Sequence, residues 1–140
     1  MLKPPAILRA EADEEHGQAL AAVRQLARRC ATELAATSVL LFGSRARANW
    51  HRSSDCDVIV VSDAFAGMSF SGRWNAIYER WSGGVDLNPI GMTSAEFELG
   101  KDGAGIVAMA LADGVIELLE LAKPESRPVE RCPGTSEPRL

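Results

Sequence analysis

A chain of 140 residues suits one domain with a single core, and a hydrophobic content of 46% argues against global disorder. A formal net charge of −4 argues against a general nucleic-acid binder held by backbone electrostatics. The three cysteines, Cys30, Cys56 and Cys132, are widely spaced with no C-x-x-C, so they support neither a zinc ribbon nor a disulfide framework.

The opening stretch, MLKPPAILRA, lacks an apolar core long enough for a signal peptide, and no run approaches the length of a membrane span. The expectation is a cytoplasmic protein with no membrane partner. Residues 1–12 read as a loose lead-in, because Pro4-Pro5 discourages regular structure. Asp13 is a candidate N-cap, followed by Glu14 and Glu15 at the positive end of a helix dipole. Leu20, Val23, Ala27, Cys30 and Leu34 then form one stripe, which predicts a helix over 13–35 with His16 facing solvent.

A strand follows at Ser38–Phe42, then Gly43-Ser44, which reads as a tight turn. Arg45 to Trp50 suits a short helix, and a second strand, Cys56–Val61, is nearly all apolar, as a strand covered on both faces should be. Six arginines (24, 28, 29, 45, 47 and 52) lie between Arg24 and Arg52, with Glu33 the one acid among them. Arg24, Arg28 and Arg29 read as a solvated helix face. Arg45 and Arg47, inside the loop, read as phosphate contacts. His51 lies close to acids in sequence, but a loop histidine with no fixed partner rarely carries chemistry.

Ser71 is a candidate cap for a helix in which Trp74, Ile77, Tyr78 and Trp81 recur at helical spacing, read as core packing rather than a base-stacking platform. Ser82-Gly83-Gly84 ends it. A third strand, 85–90, carries Asp86 near its start. Thr93 to Glu96 fits a capping box for a helix bearing Phe97, and Ile106, Met109, Ala110 and Gly114 predict another short helix. Periodicity leaves 115–121 open between strand and helix. The Pro-, Glu- and Ser-rich residues 122–140 read as a disordered tail, which leaves 13–121 as the domain.

The chemistry concentrates between the first two strands. Residues i and i+2 of a strand share a face, so Asp55 and Asp57 should project together while Cys56 turns into the protein. Two carboxylates so close repel unless a cation lies between them, and oxygen-only ligands favour Mg²⁺ over zinc. The amides and hydroxyl of Gly43-Ser44 could face a phosphate. Asp86, on a strand that should pair beside Asp57, is the expected third ligand.

Gly43-Ser44, Asp55-x-Asp57 and a strand-borne Asp86 resemble the nucleotidyltransferase superfamily typified by DNA polymerase β. More narrowly, LFGSRARA, SSDCDVIVV and VDLNPI resemble the minimal nucleotidyltransferases of prokaryotes, over about residues 15–120. The resemblance implies an α/β (α+β) fold, a small mixed sheet of three to four strands flanked by helices. It implies that Asp55, Asp57 and Asp86 hold two Mg²⁺ ions, with Asp86 helping to deprotonate the attacking hydroxyl. Gly43 and Ser44, with Arg45 and Arg47, would hold the phosphates of ATP. AMP would pass to a hydroxyl, as in family members that adenylylate a HEPN-domain toxin partner as antitoxins. An aminoglycoside-type small-molecule transferase and a non-catalytic toxin-binding module are the competing functions. A homo-oligomer is compatible with the sequence, whereas a nucleic-acid partner is not expected. The family's loop ends in glycine where this chain has Ala48.

Overall fold

The computed structural model describes residues 5–46 and 55–119, with side chains described from Asp13 onward. Among the described residues, four α-helices and four strands follow in the order α1 (Pro5–Glu33), β1 (Ser38–Phe42), β2 (Cys56–Val61), α2 (Phe70–Tyr78), β3 (Leu87–Met92), α3 (Ser94–Lys101), α4 (Ile106–Asp113) and β4 (Ile116–Glu117). The first helix begins at Pro5 rather than at Asp13, which corrects the expected lead-in over 5–12. Proline is well placed at a first helical position, where its missing N–H has no partner to lose. Residues 122–140, Cys132 among them, lie outside the described residues.

The sheet runs in the order β3-β2-β1-β4. β1 pairs antiparallel with β2, and β4 pairs antiparallel with the other edge of β1. β2 and β3 are parallel, joined by a crossover through α2. β3 is thus an edge strand, the one place in a sheet where Pro89 loses no ladder bond. The segment left open by periodicity, 115–121, is both alternatives in turn: two strand residues, then Leu118 and Leu119 in helical geometry.

Strand alternation divides the core into two layers. Val39, Leu41, Cys56, Val58, Val60 and Leu87 face α1 and α2, meeting Val23, Leu26, Ala27, Cys30 and Ile77. Leu40, Phe42, Ile59, Val61 and Met92 face the other way, against Val107 and Ala110 of α4. Both faces are covered, which is why β2 is almost continuously apolar. Burying each such Val, Ile or Leu contributes roughly 1.5–3 kcal/mol before conformational entropy is subtracted.

Three polar ties orient the helices. Glu33 of α1 accepts Arg80 Nε at 2.7 Å and Arg29 Nε at 3.3 Å, joining the end of α1 to the residues after α2. Arg29 therefore belongs to a tie between elements, whereas Arg24 and Arg28 are exposed as expected. Arg73 of α2 binds Glu96 at 2.7 Å and donates to the Gly91 carbonyl, so the α3 capping box of Thr93 and Glu96 is also anchored to α2. Buried Ser62 donates to the Leu34 carbonyl and accepts from the Ala64 amide.

The α2 aromatics differ from expectation. Ser69, not Ser71, caps the helix, and Ile77 is its one fully buried residue. Trp81 lies beyond the helix, half-buried against the core, and donates Nε1–H to the Val85 carbonyl. Trp74 and Tyr78 stack on each other, centroids 4.6 Å apart, rather than entering the core. The helix is too short for its stripe to reach Trp81, so only its inner edge meets the sheet.

Two residues past the end of α1, Ala35 is a non-glycine residue at φ +55°, with the Ala36 amide turning back to the Cys30 carbonyl. An L-residue in this region costs about 1–2 kcal/mol, partly offset by glycine's greater unfolded-state entropy. Ala35→Gly is therefore expected to stabilise the fold by roughly 0.5 kcal/mol, raising the thermal midpoint by about 2–4 °C in a calorimetric melt.

Candidate active site

The antiparallel register sets Phe42 opposite Asp57, so the turn leaving β1 lies beside the start of β2. Gly43 adopts φ +78°, and the Ala46 amide donates to its carbonyl to close the turn. A Cβ on Gly43 would stand 2.3 Å from Asp57 Oδ2. Glycine is required here twice over, by its backbone angle and by the carboxylate against its Cα. Ser44 is half-buried in the same turn.

Asp55 and Asp57 project on one side of β2, as the alternation predicts, and Cys56 is buried on the other. Burial pushes the Cys56 thiol up to about 11, so a thiolate nucleophile has no basis there; burial does the same to Cys30. Asn88 of β3, in register with Asp57, donates its one Nδ2 to Asp55 Oδ2 at 3.1 Å and to Asp57 Oδ1 at 3.1 Å. A single amide donor lying between two carboxylates occupies the position where their fields add. The same oxygen pair suits a hard divalent cation.

Asp86 is exposed and precedes β3, which starts at Leu87 rather than Val85. Its carbonyl accepts the Cys56 amide, placing its backbone next to β2. Asn88, two residues on, is the side chain that meets the acid pair. Among the described residues no three His, Cys, Asp or Glu side chains come close enough to share one metal ion. The register sets Asn88 opposite Asp57, with Asp86 two residues earlier at the entry to β3. Asn88 was detectable in the sequence only as the next same-face position after Asp86, with no charge to mark it.

Arg45 has partners the sequence did not indicate. Rather than facing a phosphate, it is 2% exposed, its guanidinium pointing to α1. Nη2 binds Glu15 Oε1 at 3.0 Å, and Nη1 lies 2.9 Å from His16 Nδ1. An arginine donates only, so His16 Nδ1 is an acceptor and the neutral ring carries its proton on Nε2. His16 is thus half-buried against Arg45 rather than facing solvent. Desolvation, then the Arg45 charge, hold its pKa below the ordinary 6.5. Arg47, Ala48, Trp50, His51 and Arg52, with the expected short helix, lie outside the described residues.

Two outcomes follow from this geometry. Gly43→Ala should destabilise by about 1–3 kcal/mol, through the φ penalty and the displaced carboxylate, and should weaken Mn²⁺ uptake in a paramagnetic titration. For His16, the unfolded chain takes up its proton first as the pH falls through 6.5. Stability should therefore decline from there down to the depressed folded value, and change little with this group above it. Urea midpoints at pH 8 and pH 5.5 should show that loss, reduced in His16→Asn.

A family model described as Nucleotidyltransferase domain matches residues 23–89, from within α1 to within β3, a span that includes Gly43, Ser44, Asp55, Asp57 and Asp86. A solved structure from Sulfolobus solfataricus, described as a nucleotidyltransferase at 1.40 Å resolution, superposes with a TM-score of 0.53. It is 22% identical, over 61% of this chain and 77% of that one, a likeness that speaks to fold. No curated protein sequence matches the chain. With a Gly-Ser turn seated against an Asp-x-Asp pair on a four-stranded mixed sheet, residues 23–89 are similar to the nucleotidyltransferase domain family, and the fold is that of a solved nucleotidyltransferase structure.

Proposed function

We propose that the protein is a Mg²⁺-dependent adenylyltransferase that moves AMP from ATP to a hydroxyl on a partner protein. The observation carrying this reading is the contact of the Gly43 turn with the Asp57 carboxylate, which joins a candidate phosphate cradle to a candidate cation site. Asp55 and Asp57 would hold the divalent cations, with Asp86, at the entry of the adjoining strand, as the third carboxylate. When bound, the cations supply Lewis-acid stabilisation of charge on the entering and leaving oxygens.

Gly43 and Ser44 would offer amide and hydroxyl donors to the β- and γ-phosphates, orienting the triphosphate for in-line attack. The acceptor oxygen bonds to the α-phosphorus as the bond from that phosphorus to the bridging oxygen breaks. Pyrophosphate leaves, and the hydroxyl proton passes to a site carboxylate, for which Asp86 is the candidate. Arg47 is the arginine of the loop proposed to reach phosphate, since Arg45 is engaged on α1. The acceptor assignment, a HEPN-domain toxin hydroxyl, rests on the resemblance of LFGSRARA, SSDCDVIVV and VDLNPI to antitoxin members of the family.

Incubation of the wild-type protein with α-labelled ATP, Mg²⁺ and a HEPN-domain partner should place label on the partner and release pyrophosphate. Asp55→Asn with Asp57→Asn should reduce transfer by about three orders of magnitude. Protection of cells by that double variant, at the wild-type level, would favour binding alone and sink the catalytic account.

A further inference from the structure

We infer that Glu15 and His16, on the far side of the sheet from the acid pair, are positioning residues for the nucleotide: they hold Arg45 and so set the Gly43-Ser44 turn. The inference rests on the proposed triphosphate role of that turn.

The turn is gripped from two directions. On one face of the sheet, the Asp57 carboxylate lies against the Gly43 Cα. On the other, the chain two residues later sends Arg45 under β1 into the layer facing α1, its side chain fully shielded from water. A buried guanidinium needs both charge compensation and hydrogen-bond acceptors, or its desolvation is uncompensated. Glu15 supplies the charge at 3.0 Å and His16 an acceptor at 2.9 Å, from successive residues of α1. The planar fork makes the arrangement directional, so lysine would not reproduce it.

α1 is itself fixed to the sheet through Ala19, Val23, Leu26, Ala27 and Cys30. The tie therefore refers the turn to a rigid body rather than to another loop. Donors that must meet phosphates within a fraction of an ångström gain from such support, because a small misplacement costs disproportionately in rate. The acid pair has support of its own in Asn88, which donates to both carboxylates. That separation gives the inference its signature, which is nucleotide affinity altered without altered cation affinity.

The test uses the full chain with Glu15→Ala, His16→Ala, His16→Asn and Arg45→Met. Asn retains an acceptor oxygen near the position of the imidazole Nδ1. Met fills the space without a buried charge, so it keeps a folded variant available if Glu15→Ala unfolds. Binding of ATP is read by calorimetry, Mn²⁺ binding without nucleotide by paramagnetic titration, and backbone motion by amide hydrogen exchange at residues 43–46. Glu15→Ala, His16→Ala and Arg45→Met should weaken ATP binding at least tenfold and speed exchange at 43–46. His16→Asn should restore most of the loss, and Mn²⁺ affinity should stay within twofold in all four. Folded His16→Ala and Arg45→Met variants with wild-type ATP affinity and exchange would overturn the positioning role alone. Parallel loss of Mn²⁺ and ATP binding would overturn it in favour of a general structural role. A wild-type protein that takes up no ATP would overturn the proposed function and the positioning role together.

Discussion

The approach of the Asp57 carboxylate to the Cα of Gly43 is the contact on which the rest of the site depends. It exists because β1 and β2 pair with Phe42 opposite Asp57, bringing the turn that leaves one strand against the first acid-bearing positions of the next. Any side chain at 43 would occupy the carboxylate's place. The glycine so often explained by turn geometry alone is here also an electrostatic neighbour, since its bare backbone lets a charged group approach donors closely.

The sheet separates chemistry from support. Asp55, Asp57 and Asn88 gather on one face, where alternation also puts Ile59 and Val61 lower down the same strand. Cys56 and the Arg45 guanidinium occupy the opposite layer with α1. Cys56 sits between two acids in sequence yet is chemically quiet, because burial holds its thiol protonated. One strand thus presents charge on one side and packs on the other, and a one-residue slip would exchange them.

Several charged side chains act between elements. Arg29 and Arg80 converge on Glu33, and Arg73 joins Glu96 to the Gly91 carbonyl. The Arg29 and Arg73 hydrogen bonds lower the pKa values of Glu33 and Glu96, respectively. Exposed pairs of this kind contribute little to stability. Their effect is on geometry, tying α1 to the residues after α2 and α2 to the end of β3 and the start of α3.

Much of this protein could be read from its sequence wherever short-range backbone rules decide. Ser38–Phe42 and Cys56–Val61 follow from apolar runs bounded by turn residues, and the Thr93–Glu96 box marks its own helix start. The pairing of Asp55 with Asp57, and the inward turn of Cys56, follow from a period of two. Tertiary structure alone decided the rest. Whether Asp86 or Asn88 meets Asp57 is a question of register between strands, on which neither strand's own pattern bears. That Arg45 turns to Glu15 and His16 depends on a helix some thirty residues earlier packing beneath β1, and charge by itself does not distinguish an arginine that will face a phosphate from one that will be buried on a carboxylate. Local sequence sets which face a side chain takes, but its partner is set by how distant elements dock, because that energy comes from apolar contacts formed only in the assembled core.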